Sequence, residues 1–265
     1  MRQRNNIMDS LNYAEKIQQS ILMRDDEVKL HLPDSFIFFQ PKDIVSGDFY
    51  WFAQRGKRSV IAAIDCTGHG VPGAFLSMIG YMLLNEIVNQ RNVTRPADIL
   101  QELHAGIRET LQQNKDDMQM QDGMDVGLCM IDHEKKNIEY SGAMNFLYVV
   151  TNGELKTYKG DLQSVGGHSI DRSEKPFTNF EIPFSDDMAI YLFTDGYIDQ
   201  FKNMETTDQF PKKTKYGSPR FRKLIQANAH LPMEEQKKIL KSTLDEWSGM
   251  QMQVDDMLVI GIRIV

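Results

Sequence analysis

The chain has 265 residues, of which 41% are hydrophobic and 25% are charged, and this globular composition excludes a disordered protein. A net charge of −7 gives no general attraction to nucleic acid, so no nucleic-acid partner is expected. Its two cysteines, Cys66 and Cys129, form no CxxC pair, and the N-terminus lacks an apolar signal core. We therefore expect a cytoplasmic protein, tethered to a membrane only through a sensor in a longer natural chain.

The N-terminal segment, residues 1–29, has the pattern of an amphipathic helix running from about residue 5 to residue 23. Apolar residues recur at helical and heptad spacing, with Gln18 as a polar interruption; they are Ile7, Leu11, Ala14 and Ile21. We predict a linker helix that pairs with a second copy in a homodimer and couples an upstream sensor domain to a second domain at 30–265.

Short strands dominate the second domain. Runs rich in β-branched and aromatic residues predict strands at 35–40, 48–54, 58–65, 124–132, 137–143, 146–150, 154–158, 177–183, 188–195 and 255–265. Helices are predicted at about 73–88, from Pro96 onward, and between Pro232 and Gly249. Since hairpins are frequent and strands do not alternate with helices, we predict an α+β fold with antiparallel sheets and segregated helices.

Aspartates recur where these strands begin or end, at Asp48, Asp65, Asp195, Asp255 and Asp256. A single aspartate at such a place is usually a turn former. Strand ends that meet at one edge would bring several carboxylates together, and such a cluster requires cations to neutralise it. Oxygen ligands without histidine or cysteine favour Mg²⁺ or Mn²⁺ over zinc.

A glycine-rich loop, DCTGHGVPG at residues 65–73, follows the third predicted strand. It contains GxGxxG, but a dinucleotide-binding fold needs a parallel strand after the next helix, and here a second helix begins at Pro96. The sequence has no Walker A motif, and neither cysteine starts a C-x5-R motif. A kinase, a P-loop enzyme and a cysteine phosphatase are therefore disfavoured.

Four strings occur in order: SGDFYW, DCTGHGVPGAFLSM, FTDGYIDQ and QVDDMLVIGIR. Together they resemble the PPM metal-dependent protein phosphatases, specifically the SpoIIE-like bacterial branch, over about residues 30–265. The resemblance implies two antiparallel β-sheets packed as a sandwich and flanked by helices (αββα). It also implies hydrolysis of phosphoserine or phosphothreonine in a partner protein by a metal-activated water at a dinuclear Mn²⁺ or Mg²⁺ site.

Carried over by position, the resemblance implies a set of metal ligands: Asp48, Asp65, the carbonyl of Cys66, Asp195, Asp255 and Asp256. Asp65 is the expected bridging ligand, and Asp256 falls where the eukaryotic branch has asparagine. His69 is a candidate for protonating the leaving group, although it could simply complete the loop. Lys42 is a candidate for contacting phosphate, although a solvated lysine is the plainer interpretation. Asp122 lies near the region that supplies a ligand to a third ion in relatives.

One position departs from the family pattern Asp-Asp-hydrophobic-Thr, because Leu258 stands in place of the threonine. This leaves open an alternative function as a catalytically weak, phosphatase-like binding module. The expected partner is a phosphorylated protein, such as a small anti-anti-sigma-like switch protein. A basic stretch at 202–223 is a candidate for docking it, and a solvated surface loop is the equally plain alternative.

Overall fold

The computed structural model describes residues 2–113, 122–167, 175–202 and 214–264. In these ranges the helices are α1 (Arg2–Ile21), α2 (Asp25–Lys29), α3 (Gly70–Leu84, continued by the π-helical residues Asn85–Gln90), α4 (Pro96–Thr110), α5 (Gly196–Asp199), α6 (Ser218–Asn228) and α7 (Met233–Ser248). The strands are β1 (Ser35–Gln40), β2 (Phe49–Arg55), β3 (Arg58–Cys66), β4 (Met124–Asp132), β5 (Asn137–Ala143), β6 (Phe146–Thr151), β7 (Glu154–Lys159), β8 (Phe180–Pro183), β9 (Met188–Phe193) and β10 (Met257–Ile264).

The strands form two antiparallel sheets. One has the order β1-β10-β9-β6-β7, and the other has the order β2-β3-β4-β5-β8. Both pack face to face, and helices cover their outer faces, so the predicted α+β sandwich is confirmed. The short helices α2 and α5 were not predicted, and α6 begins inside the stretch interpreted as a basic loop.

Side chains point alternately to the two faces of a sheet, and this explains why each sheet packs on both sides, as β2 shows. Phe49 and Trp51 face the outer core, where they pack with residues of α3 and α4. Tyr50 and Phe52 face the inner core between the two sheets. On the opposite side of the molecule, residues of β1 and β9 share a core with α6 and α7, which includes Phe36, Phe221 and Leu240. Each sheet therefore has two buried faces, and four layers result.

Helix α3 and its π-helical continuation, Gly70–Gln90, form the one element within the described ranges that could cross a membrane by length and composition alone. Core helices of soluble proteins pass the same test. Here Leu76 and Leu84 are buried in the outer core against the β2-β3-β4 sheet, so the apolar character of the helix has a packing role in this fold.

The N-terminal helix α1 changes environment along its length. Ile7 is exposed, Leu11 and Ile21 are half-buried, and Gln18 is buried. The C-terminal part of the predicted stripe therefore lies on the chain's own domain, while its N-terminal part faces solvent. Dimer formation through this helix stays a prediction.

Candidate functional site

Three acidic residues lie side by side across β2, β3 and β4. Asp65 on β3 is paired with Asp125 on β4. Phe49, the first residue of β2, is paired with Ile64, so the same register continues to place Asp48 beside Asp65. All three positions are in phase with residues of the inner core, because side chains alternate along a strand. The inner core therefore ends in carboxylates at this edge.

Strands β9 and β10 of the other sheet contribute acids to the same edge. Asp195 follows the end of β9, and Asp255 precedes the start of β10. The turn after Asp195 requires glycine, since a Cβ on Gly196 would lie 1.9 Å from the carbonyl oxygen of Asp256. The turn at Asp195-Gly196 therefore packs tightly against Asp255-Asp256, which brings the predicted ligands Asp195 and Asp255 together.

An open cleft of about 310 Å³ lies between the two sheet edges. We call it the acidic cleft, and it is lined by Asp65, Cys66, Thr67, Gly68, His69, Asp125, Ser164, Asp195 and Asp255. Asp48 is almost completely buried beside Asp65, at 3% exposure. Asp125 was not predicted, although its phase with Gly127 and Cys129 on β4 is a sequence signal that could have found it.

The carboxylates perturb one another strongly. Burial, followed by repulsion from Asp195, Asp125 and Asp255, raises the pKa of Asp65 to about 8. Burial and the charge of Asp65 raise the pKa of Asp48 well above its ordinary value. The pKa of Asp195 rises to about 6, mainly through burial and then through the neighbouring charge of Asp199. Without added positive charge, the cleft therefore favours protonated acids.

The donor set fits hard divalent cations. Oxygen Oδ2 of Asp48 is buried and has no hydrogen-bond partner among the described residues, although a buried polar atom normally has one. Its neighbours are further carboxylates, which are the ligands that Mg²⁺ and Mn²⁺ prefer. Within the described ranges, no three acidic, histidine or cysteine side chains are already gathered closely enough to hold an ion.

Asp256 differs from the other predicted ligands. Its Oδ1 accepts a hydrogen bond from the backbone N–H of Lys42 at 2.7 Å, and its Oδ2 accepts from the N–H groups of Gly47 and Asp48 at 2.8 and 3.4 Å. These bonds favour a role in bracing the loop before β2. The ligand role of Asp256 and the phosphate contact of the Lys42 side chain stay predictions.

The loops that carry Asp48 and Asp65 touch through glycines. A Cβ on Gly47 would lie 2.5 Å from the carbonyl oxygen of Gly68, and one on Gly73 would lie 2.3 Å from the same oxygen. This backbone-to-backbone contact fixes the loop before β2 against the loop after β3. The Cys66 side chain is buried in the outer core, and burial raises the pKa of its thiol, so its backbone carbonyl is the group available at the cleft.

Gln18 of α1 reaches the loop that carries Asp48. Its Nε2 donates to the Ser46 carbonyl at 2.7 Å, and its Oε1 accepts from the Ser46 N–H at 2.9 Å. The same Nε2 lies 3.0 Å from Oγ of Ser77 on α3. Gln18 is 8% exposed. The predicted polar interruption of the heptad is thus a buried clamp between α1, α3 and the loop.

His69 caps α3 and lines the acidic cleft. Its Nδ1 lies 2.7 Å from Oδ2 of Asp43, and both side chains are about half exposed. This pair holds the imidazole beside the cleft. Proton donation by His69 stays a prediction. Asp122 contributes its backbone carbonyl to a bond from Gln113, whereas Asp125, three residues further on, lines the cleft.

The basic stretch at 202–223 is described in part, because Lys212 and Lys213 lie outside the described residues. Lys215 forms an ion pair with Asp199 of α5, next to Asp195. Lys202 and Arg220 lie over the ring of Trp247. Of these three cations, Lys215 is the one that acts on the acidic cleft, because its charge lowers the pKa of Asp195.

Comparisons with known proteins agree on one family. The family described as Stage II sporulation protein E (SpoIIE) matches residues 55–265. The chain is similar to the SiaA-PP2C domain of Pseudomonas aeruginosa, with 30% identity, a TM-score of 0.85 and coverage of 99% of this chain and 98% of that one. No curated protein sequence matches.

Two further structures share the fold. One contains the PP2C phosphatase domain and a fragment of the regulatory domain of SpoIIE from Bacillus subtilis, with 15% identity, a TM-score of 0.65 and coverage of 87% and 63%. The other contains the RsbU and RsbW domains of a Mycobacterium tuberculosis protein, with 17% identity, a TM-score of 0.62 and coverage of 88% and 60%.

Proposed function

The chain belongs to the SpoIIE family of PPM (PP2C-type) protein serine/threonine phosphatases of bacterial signalling, and from this premise we propose that it dephosphorylates a partner protein at the acidic cleft with two divalent cations, Mn²⁺ or Mg²⁺. The family resemblance and the enzyme class inferred from the sequence are thereby confirmed. One observation carries the assignment of the site: Asp65, Asp125, Asp195 and Asp255 line a single cleft.

Asp65 is the central ligand of this proposal, with Asp48 on its buried side and Asp195 and Asp255 on its open side. When bound, the cations neutralise the carboxylates, polarise phosphoryl oxygens and lower the pKa of an attacking water. The raised pKa of Asp65 supports this assignment, because a carboxyl that is costly to ionise alone is stabilised by a cation. Asp125 is the candidate for any third ion.

The remaining cleft residues act on the substrate. Water attacks phosphorus, the bond from phosphorus to the serine or threonine oxygen breaks, and that oxygen takes up a proton. His69, held by Asp43, lies beside the cleft and is the candidate donor of this proton. The N–H groups at the start of α3 favour an anion, which supports a phosphate position over the glycine-rich loop.

The substrate we propose is a small phosphorylated switch protein of the anti-anti-sigma type. Support comes from the similar fold in which an RsbU domain and an RsbW domain belong to one protein, and from the charge of Lys215 beside Asp195. We further propose that this chain is the cytoplasmic output part of a sensor. The Gln18 clamp supports this idea, because a shift of α1 would be passed directly to Ser46, two residues before Asp48.

Two substitutions test the metal site. Asp65→Asn and Asp195→Asn should each abolish hydrolysis of p-nitrophenyl phosphate and of a phosphoserine protein at saturating Mn²⁺. Asp98→Asn, which changes an exposed aspartate paired with Arg95, is the matched control and should keep wild-type activity. Wild-type rates in both cleft variants would refute the site. A folded wild-type protein without Mn²⁺-dependent or Mg²⁺-dependent turnover would instead favour the binding-module alternative.

A further inference from the structure

Two glutamine side chains bind each other where the pairing of β1 with β10 ends. Gln40 is the last residue of β1 and lies opposite Met257, the first residue of β10. Gln253 belongs to the segment between α7 and β10. Nε2 of Gln40 donates to Oε1 of Gln253 at 2.7 Å, and Nε2 of Gln253 donates to the backbone carbonyl of Gln40 at 2.7 Å. These two side-chain bonds continue the contact between the chains beyond the last backbone pair.

The same amide of Gln253 also binds Asp255. Its Nε2 donates to the Asp255 carbonyl at 2.8 Å, so the two hydrogens of this nitrogen serve two carbonyl oxygens. Oxygen Oδ1 of Asp255 accepts a hydrogen bond from the N–H of Asp256 at 2.9 Å. Asp255 is therefore held at its carbonyl and at one carboxylate oxygen, while its side chain lines the acidic cleft.

Gln40 determines the orientation of the Gln253 amide. If that amide were turned by half a rotation, Oε1 would face the carbonyl oxygens of Gln40 and Asp255, and Nε2 would face the donor Nε2 of Gln40. Three attractive contacts would then become repulsive. A carboxylate in this place would face the two carbonyl oxygens with acceptors alone, so the contacts need an amide at position 253.

We propose that Gln253, oriented by Gln40, is a positioning residue for Asp255: it fixes the backbone of Asp255 against the end of β1 and thereby holds the carboxylate in place for a divalent cation. The inference rests on the proposed metal-dependent function. Gln253 is not among the described residues that line the acidic cleft, so it acts through Asp255. It thus gives a fixed place to an acid that precedes β10 and lies outside the sheet pairing.

The variant Gln253→Glu separates positioning from charge. Glutamate keeps the shape and adds a negative charge two residues from Asp255. If charge alone mattered, a cation would bind more tightly; the positioning role predicts weaker binding, because the carboxylate repels the carbonyls of Gln40 and Asp255. Gln251→Glu is the matched control. Gln251 is also half-buried, and within the described part of the chain its side chain forms no hydrogen bond.

Mn²⁺ binding is measured by calorimetry on metal-free protein, and urea denaturation in EDTA establishes that each variant is folded. Groups that orient metal ligands typically contribute about 10–100-fold in affinity, so Gln253→Glu and Gln253→Leu should each weaken binding by at least about 10-fold. Gln251→Glu should stay within about 3-fold of wild type, because a charge near the surface contributes little.

A double-mutant cycle tests the part played by Gln40. Gln40→Leu, which leaves Gln253 in place, should also weaken Mn²⁺ binding. The double variant Gln40→Leu/Gln253→Leu should bind no more weakly than Gln253→Leu alone, because the two amides act as one unit. The single change at Gln40 also keeps the test available if glutamate at position 253 prevents folding.

The outcomes are separable. Mn²⁺ binding as tight as that of wild type, or tighter, in folded Gln253→Glu or Gln253→Leu would overturn the positioning role and leave the phosphatase proposal intact. Wild-type binding in Gln40→Leu, or losses that add up in the double variant, would overturn the orienting role of Gln40. Failure of the wild-type protein itself to bind Mn²⁺ would overturn both the proposed function and this inference.

Discussion

Asp48 and Asp195 bring the same side chain to the same edge of the sandwich, but their surroundings differ. Asp48 is buried, and its loop is held by Asp256 and Gln18. Within the described part of the chain, its Oδ2 has no hydrogen-bond partner. Asp195 lies on the exposed side of the cleft, next to the ion pair of Asp199 and Lys215. The position of the Asp48 carboxylate is therefore set by the surrounding protein, whereas the Asp195 carboxylate is also influenced by solvent, ions and substrate.

In the buried half, the largest effect should come from Asp48. Changes to groups around a metal ligand cost about 10–100-fold, so we expect Asp48→Asn, which removes a ligand, to lower activity at limiting Mn²⁺ by more than about 100-fold. At pH 8 the same change should raise the free energy of unfolding of metal-free protein by about 1–3 kcal/mol, because it removes an acid that lacks a buried partner. Activity assays and urea denaturation in EDTA measure the two effects. A loss of activity together with a loss of stability would contradict this account of Asp48.

Stability should also depend on pH, with opposite trends in the absence and presence of metal. The pKa of Asp65, about 8, and that of Asp195, about 6, both exceed the ordinary aspartate value. The folded state therefore binds more protons than the unfolded state, and the free energy of unfolding falls as pH rises from about 4 to about 8. Cations bind the ionised acids, so stabilisation by Mn²⁺ should grow over the same range.

Urea denaturation at pH 5, 6.5 and 8, with EDTA or with Mn²⁺, measures this dependence. Asp65→Asn should flatten most of the metal-free slope, and Asp195→Asn should flatten only its lower part, below about pH 6. A metal-free protein whose stability rises with pH across this window would show that the carboxylates do not repel one another in the folded state.

A change at Gln18, which lies outside the cleft, should have a smaller effect on the Mn²⁺ requirement. Gln18→Leu removes both bonds to Ser46, whose carbonyl then keeps only the 3.5 Å bond from Oγ of Ser77. A loss of about 1–1.5 kcal/mol corresponds to roughly a 10-fold higher Mn²⁺ requirement. Gln19→Leu is the matched control, since Gln19 is exposed and bonds only to Glu15 among the contacts described here. The rate at saturating Mn²⁺ should stay near that of wild type, because Gln18 does not touch the cleft.

Solution mass and Mn²⁺ dependence, measured for the intact chain and for a version that starts at Leu30, complete this test. Truncation should reproduce the Gln18→Leu effect, and loss of the predicted dimer would assign the exposed half of α1 to pairing. Identical metal responses in all three proteins would remove α1 from the regulation of Asp48.

The sequence was most informative where one physical rule acts alone. Alternation and turn residues located most strand boundaries, and β1 was predicted at its observed bounds. Hydrophobicity predicts the strand that contains Asp125 but gives no role to this acid, which only its phase with the inner-face residues of β4 reveals. Gln18 illustrates the other limit. A polar residue in a heptad stripe predicts an interruption, but its partners, Ser46 and Ser77, are distant in sequence and only packing brings them together.

The smallest predicted effect belongs to the open half. Lys215→Glu should lower kcat/KM for an acidic phosphoprotein by roughly 3-fold at low salt, because rim charges mainly affect association, and the difference should shrink at high salt. Lys241→Glu is the matched control, since Lys241 is also a half-exposed lysine paired with an aspartate. Comparison with p-nitrophenyl phosphate separates docking from catalysis. Lys215 also lowers the pKa of Asp195, so an equal loss with both substrates would assign Lys215 to the metal site and not to docking.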